Sequence, residues 1–137
     1  MKSAFPKIAS AFAAVCLFAS IITLGGCSKY VSKYKAVAFV HTNTAESASM
    51  SFSDFEGTMV FNLKCGSDGG KIKYTATLEE GDIKVYYDCD GVKTPLFGIG
   101  TGGETSSVGG QLKNGRVYLI VETDGKCRNG KLNFEIV

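Results

Sequence analysis

Alternation of apolar and polar side chains governs most of this chain, and it leaves little room for any architecture except sheets. Met59, Phe61, Leu63 and Cys65 fall on one face of the segment 58–65 while Thr58, Asn62 and Lys64 fall on the other. The same period of two recurs as Ile72, Tyr74, Ala76 and Leu78, as Ile83, Val85, Tyr87 and Cys89, as Val117, Leu119 and Val121, and as Leu132, Phe134 and Ile136. A strand turns successive side chains to opposite faces, so each of these segments reads as a strand with one dry and one wet side. Weaker runs at 36–41, 48–52, 94–99 and 107–112 complete the set, and no segment after residue 35 has a helical period.

The interruptions have turn chemistry. Asp90-Gly91, Asn114-Gly115 and Asn129-Gly130 supply residues that adopt positive φ at little steric cost, which tight hairpins require. Short strands at regular spacing with such turns predict an all-β antiparallel sandwich of about eight strands, of jelly-roll type.

The first residues follow different rules. Lys2 and Lys7 precede an uncharged run from Ile8 to Leu24, closed by Gly25-Gly26-Cys27. A positive start, an apolar middle and a small-residue end read as an export signal. Seventeen uncharged residues also reach the short edge of what spans a bilayer, and the end of the run decides between the two. Leu24-Gly25-Gly26-Cys27 resembles the lipobox of bacterial lipoproteins. The resemblance implies cleavage before Cys27, a diacylglycerol on its thiol, and a body tethered on the extracytoplasmic side of the cell envelope. Ser28, rather than an acid, follows the cysteine, which slightly favours the outer membrane in a cell that has two.

The expected organisation is a cleaved signal at 1–26, a lipidated Cys27 with a tether at 27–35, and a sandwich domain at 36–137. Lysines 29, 33 and 35 of the tether suit either solvent or anionic headgroups. The leader removes two of the 15 basic residues and none of the 13 acids, so the mature chain is balanced and no basic face for nucleic acid is implied.

The strand-forming segments 57–63, 81–87, 115–121 and 130–136 resemble, in order and pattern, bacterial pre-peptidase C-terminal domains. These are small jelly-roll sandwiches appended to exported proteases. No protease accompanies the domain here, so the likeness carries architecture and not an accessory role.

Candidate sites are few. Gly98-Ile-Gly100-Thr-Gly102-Gly103 has the letters of a phosphate-binding turn but lacks the strand-turn-helix setting that gives them meaning, and a plain loop is expected. Asp82, Asp88 and Asp90 offer oxygen ligands without the spacing of a calcium loop, so turn-capping acids are expected and no metal or other cofactor is implied. His41 is the single histidine, and a hydrolase reading would need a pocket joining it to a carboxylate and a hydroxyl. Tyr86 and Tyr118 fall on outward positions, as does Ile120, where aromatic rings either meet a protein or glycan ligand or lie under a neighbouring loop.

Three cysteines remain after Cys16 and Cys27 are set aside. Cys65 and Cys89 are expected at one end of the fold, facing inward. In a simple meander they flank one strand, about 9.6 Å apart, which is beyond the roughly 5.5 Å a disulfide tolerates. A Cys65–Cys89 bridge with Cys127 free therefore requires the first of these strands to lie in the opposite sheet. The alternatives are three reduced thiols or a pairing of Cys127. Together these features point to a lipid-anchored, non-enzymatic binding or structural module, or alternatively to an inhibitor or accessory subunit of an exported enzyme.

Overall fold

The computed structural model describes residues 29–137; the expected signal, Cys27 and Ser28 lie outside the described residues. Every regular element among the described residues is a strand. They run β1 (Lys33–Val37), β2 (Val40–Asn43), β3 (Ser47–Cys65), β4 (Gly70–Glu80), β5 (Ile83–Asp88), β6 (Thr94–Ile99), β7 (Gly103–Leu112), β8 (Gly115–Thr123) and β9 (Cys127–Ile136).

One strand organises the rest. The runs expected at 48–52 and 58–65 belong to the single 19-residue β3, whose first half pairs with β9 and whose second half pairs with β8. Asn43 lies opposite Ala48, yet its side chain also bonds the backbone of Asn62, donating to the carbonyl at 2.8 Å and accepting from the amide at 3.0 Å. Fourteen residues of straight strand would span roughly 46 Å, so β3 must bend back on itself. Gly57 sits at the bend with φ 129°, and a Cβ there would run into the Lys33 carbonyl and the Tyr34 backbone. Only glycine fits this corner.

The bend gives two facing sheets. The first is ordered β2-β3-β9-β4-β7 and the second β3-β8-β5-β6. Taking the halves of β3 separately, the pairings nest along the chain: β3 start with β9, β3 end with β8, β4 with β7, and β5 with β6. An eight-segment ribbon folded on itself and then rolled, so that β9 meets β4 and β8 meets β5, is a jelly roll. The expected all-β antiparallel sandwich is therefore the architecture.

Alternation fills the space between the sheets as anticipated. Phe61, Ile72, Ile83, Leu119 and Leu132 are all at most 1 % exposed. An aromatic chain crosses the core: Tyr74 stacks on Phe97 at 4.2 Å, Phe97 lies 6.2 Å from Phe134, and Phe134 lies 6.3 Å from Phe61. Past Thr58, where the pairing with β1 ends, the edge of β3 away from β8 has no strand partner among the described residues. Ser32 accepts from the Val60 amide at 2.8 Å, and the Ala45 carbonyl accepts from Lys64 at 2.6 Å, so side chains and a turn cap the edge and block further pairing.

The structure corrects two boundaries. The expected tether at 27–35 is partly sheet, because β1 starts at Lys33 and pairs with Thr58. The run 36–41 is not one strand: Ala38, with φ 51°, breaks it between β1 and β2.

Candidate functional site

Two outward faces remain after the core is built, and they differ in kind. On the second sheet, Tyr86 and Tyr118 lie outward as expected. Neither is an open platform. Tyr30 packs edge-on against Tyr118 with centroids 5.3 Å apart, and the Lys93 ammonium sits 4.5 Å above the Tyr86 ring while pairing with Glu122 at 2.5 Å. Ile120, beside Val60 and Tyr86 in the register, is 1 % exposed.

Tyr30 belongs to a clamp with no local signature in the sequence. Asp88, at the end of β5, is the buried acid, 3 % exposed. Its Oδ1 accepts from the amides of Gly91 at 2.6 Å and Asp90 at 3.2 Å, which closes the turn after β5. Its Oδ2 accepts from the Tyr30 hydroxyl at 2.6 Å and from the Lys29 ammonium at 3.2 Å. The same ammonium donates to the Gly91 carbonyl at 2.7 Å. Burial alone would raise the Asp88 carboxyl; the donors from Tyr30, Gly91 and Lys29 outweigh it and hold the group below its ordinary value of 3.8. Burial, with the adjoining carboxylate, pushes the Tyr30 hydroxyl up to about 12.

The first sheet presents the opposite character: an open, polar face. Thr42, Ser49, Asn133, Thr75 and Ser106 face one another across five strands in one register. This row holds hydroxyls and an amide and no charge. Charged residues flank it, with Glu135 opposite Lys73 on one side and Lys131 and Glu104 on either side of Thr77 on the other. Two shallow grooves of about 330 and 540 Å³ lie along these rows and meet at Thr75 and Asn133. Every group in the row both donates and accepts, or reaches a partner that does, so the face matches ligands rich in hydroxyls or amides. Ser49, Thr75 and Asn133 alternate with buried neighbours, but only the order of the sheet brings 42, 49, 133, 75 and 106 into one line.

The remaining candidates resolve individually. His41 is exposed and stacks on Phe39 at 5.0 Å. The glycine-rich stretch 98–103 ends β6 and opens strand β7, not a helix. Asp82 lies at the other end of β5 from Asp88, and no group of metal-ligating side chains assembles among the described residues.

The expected Cys65–Cys89 bridge is not formed. Cys65 pairs with Gly115 on β8, while Cys89 follows the Asp88 that pairs with Tyr118 on the far side of the same strand. The two cysteines thus flank β8 in one sheet, two strand spacings and about two residues of offset apart, well outside disulfide range. Each thiol instead donates to a carbonyl: Cys65 to Ser67 at 3.0 Å, Cys89 to Gln111 at 3.6 Å and Cys127 to Asp82 at 3.5 Å. Burial raises the Cys127 thiol above its ordinary value.

No protein-family model and no curated protein matches the chain. Among solved structures, the chain is similar to PliG of Aeromonas hydrophila, described as a periplasmic inhibitor of g-type lysozyme (14 % identity, 68 % of this chain and 88 % of that one, TM-score 0.47). It is also similar to TmCBM61 bound to β-1,4-galactotriose (16 %, 72 % and 69 %, 0.45). A third likeness is to the C-terminal CBM6 of LamC from Zobellia galactanivorans (12 %, 75 % and 91 %, 0.40).

Proposed function

We propose that the chain is a lipid-anchored, extracytoplasmic, non-catalytic binding module that holds a hydroxyl-rich ligand along the open face of its first sheet. The observation that carries the reading is the uncharged row Thr42, Ser49, Asn133, Thr75 and Ser106 inside a border of charges of both signs. Such a row satisfies hydroxyls without the desolvation cost of burying charge, and its shallow, open form suits an extended polymer rather than a small enclosed substrate. The anchor rests on the residues 1–28 and their likeness to a lipoprotein leader. Attachment at Cys27 through two or three acyl chains holds a soluble body stably, since each buried methylene contributes about 0.8 kcal/mol.

Binding of the mature protein to purified envelope polysaccharides, compared with a Thr75→Arg variant that fills the centre of the row, tests the ligand reading. Retention by wild type and at least a tenfold loss in the variant are expected. Equal retention, or co-purification of a stoichiometric exported enzyme instead of glycan, overturns it in favour of an inhibitor or accessory role. Palmitate labelling of wild type against Cys27→Ala tests the anchor separately; equal labelling ends it.

A further inference from the structure

We propose that the Asp88 end of the sandwich lies flat against the bilayer that holds the Cys27 acyl chains, fixed there by the Lys29–Tyr30–Asp88 clamp, with Val31 and Val92 in the headgroup layer. The inference rests on the anchor reading above and adds an orientation to it. A single residue, Ser28, separates Cys27 from Lys29, so the two Cα atoms are at most roughly 7 Å apart. The polar layer on each side of a bilayer's hydrocarbon core is about as thick, at roughly 5–7 Å. An acylated Cys27 at the base of that layer therefore holds Lys29 within it or at its outer boundary.

Lys29 is not a free linker residue. Its ammonium binds both the buried Asp88 carboxylate and the Gly91 carbonyl, and Tyr30 binds Asp88 and packs on Tyr118. Whatever holds Lys29 at the membrane holds the turn after β5 there too. Two of the exposed large apolar side chains flank this clamp: Val31, 72 % exposed, beside Tyr30, and Val92, 61 % exposed, beside Gly91. On a free-standing body they are unsatisfied apolar surface; against a bilayer they have an apolar neighbour. The lysine stem and the tyrosine ring, each apolar along its length and polar at its tip, suit the same layer.

The strands then run away from the membrane. The turns at the opposite end, 79–82 and 123–127, joined by the Asp124 amide donating to the Asp82 carbonyl at 3.0 Å, form the distal tip. Five residues of β8 separate Tyr118 from Thr123, on the order of 17 Å of extended chain.

The chain contains no tryptophan, so one introduced at a chosen site reports alone. The full lipoprotein carrying Val92→Trp or Lys126→Trp is reconstituted into phosphatidylethanolamine and phosphatidylglycerol vesicles with and without brominated acyl chains. Fluorescence of the Val92→Trp protein is expected to fall at least threefold more on bromination than that of the Lys126→Trp protein. Adding Lys29→Ala and Tyr30→Phe, which release the clamp and leave Asp88 its amide donors, is expected to erase most of the difference. Equal quenching at both sites in protein that floats with the vesicles overturns the orientation while the anchor stands. Undiminished quenching after release of the clamp overturns the clamp as its cause. Failure of the parent protein to float overturns the anchor reading and the orientation with it.

Discussion

Removing the Tyr30 hydroxyl should cost more stability than removing the Lys29 charge, although the second change breaks the ion pair. The hydroxyl donates at 2.6 Å to a carboxylate that is 3 % exposed. Hydrogen bonds to buried charge are worth about 1.5–3 kcal/mol. Asp88 keeps the Gly91 and Asp90 amides after the change, so it is weakened and not orphaned, and Tyr30→Phe should cost about 2 kcal/mol. The Lys29 side chain is 52 % exposed, and water screens its 3.2 Å contact, which places Lys29→Ala at or below about 0.5 kcal/mol. For a body of this size 2 kcal/mol is a fall in Tm of roughly 8 °C. Urea unfolding of the soluble body at neutral pH reads both values. With Asp88→Asn as the second arm of a double-mutant cycle, the Tyr30→Phe cost should shrink by more than half, because its acceptor has lost its charge. A Lys29→Ala cost equal to that of Tyr30→Phe, or full additivity with Asp88→Asn, would refute the ranking.

The same clamp predicts a pH profile. Asp88 has a depressed folded value, so its contribution is complete above the ordinary 3.8 and disappears as acid carries the pH below it; the urea midpoint of wild type should fall more steeply than that of Asp88→Asn between roughly pH 5 and 2. At the alkaline end, ultraviolet titration should show a tyrosine proton leaving near pH 12 that Tyr30→Phe abolishes. Phe61→Ala removes the fully buried end of the aromatic chain between the sheets and should cost about 3–5 kcal/mol in the same urea assay. Gly57→Ala combines a forbidden φ with a collision against backbone and should cost at least about 3 kcal/mol, with soluble yield as a second readout. Thiol titration of the unreduced, unfolded mature protein should count Cys65, Cys89 and Cys127 all as reactive, and in the folded protein half-buried Cys89 should react before the other two.

Alternation made the strands legible because a dry face and a wet face leave a mark on every second letter. What it could not convey was which strands share a sheet. The residues 53–57 break the pattern, and in sequence the break reads as a loop between two strands. In space it is a corner within one strand, made possible by Gly57. The disulfide expectation failed at the same point. It depended on the strand ending in Cys65 lying opposite the strand ending in Cys89; the roll puts both in one sheet with β8 between them. The tether was misjudged for a related reason. Tyr34 and Ala36 do alternate with Lys33, Lys35 and Val37, but five residues just after a sequence that resembles a lipobox read as linker until β3 offers them a partner from Asp54 to Thr58.

The two candidate surfaces were hidden to different degrees. Ser49, Thr75 and Asn133 of the open row sit at positions that alternate with buried neighbours, whereas Thr42 and Ser106 fall outside the runs that periodicity marks, so the face was legible only in part. The clamp had no local signature at all, since its donors and acceptor lie 58 and 59 residues apart. Asp88 looked like one of several turn acids, and only its burial separates it from Asp90. That burial ties the first described residues to the sandwich. A carboxylate withdrawn from water needs donors, the turn supplies two amides, and the remaining oxygen is met by Lys29 and Tyr30. Lys29 and Tyr30 are therefore parts of the sandwich rather than a free tail ahead of it, and under the proposed anchor at Cys27 the body would close over its own attachment point.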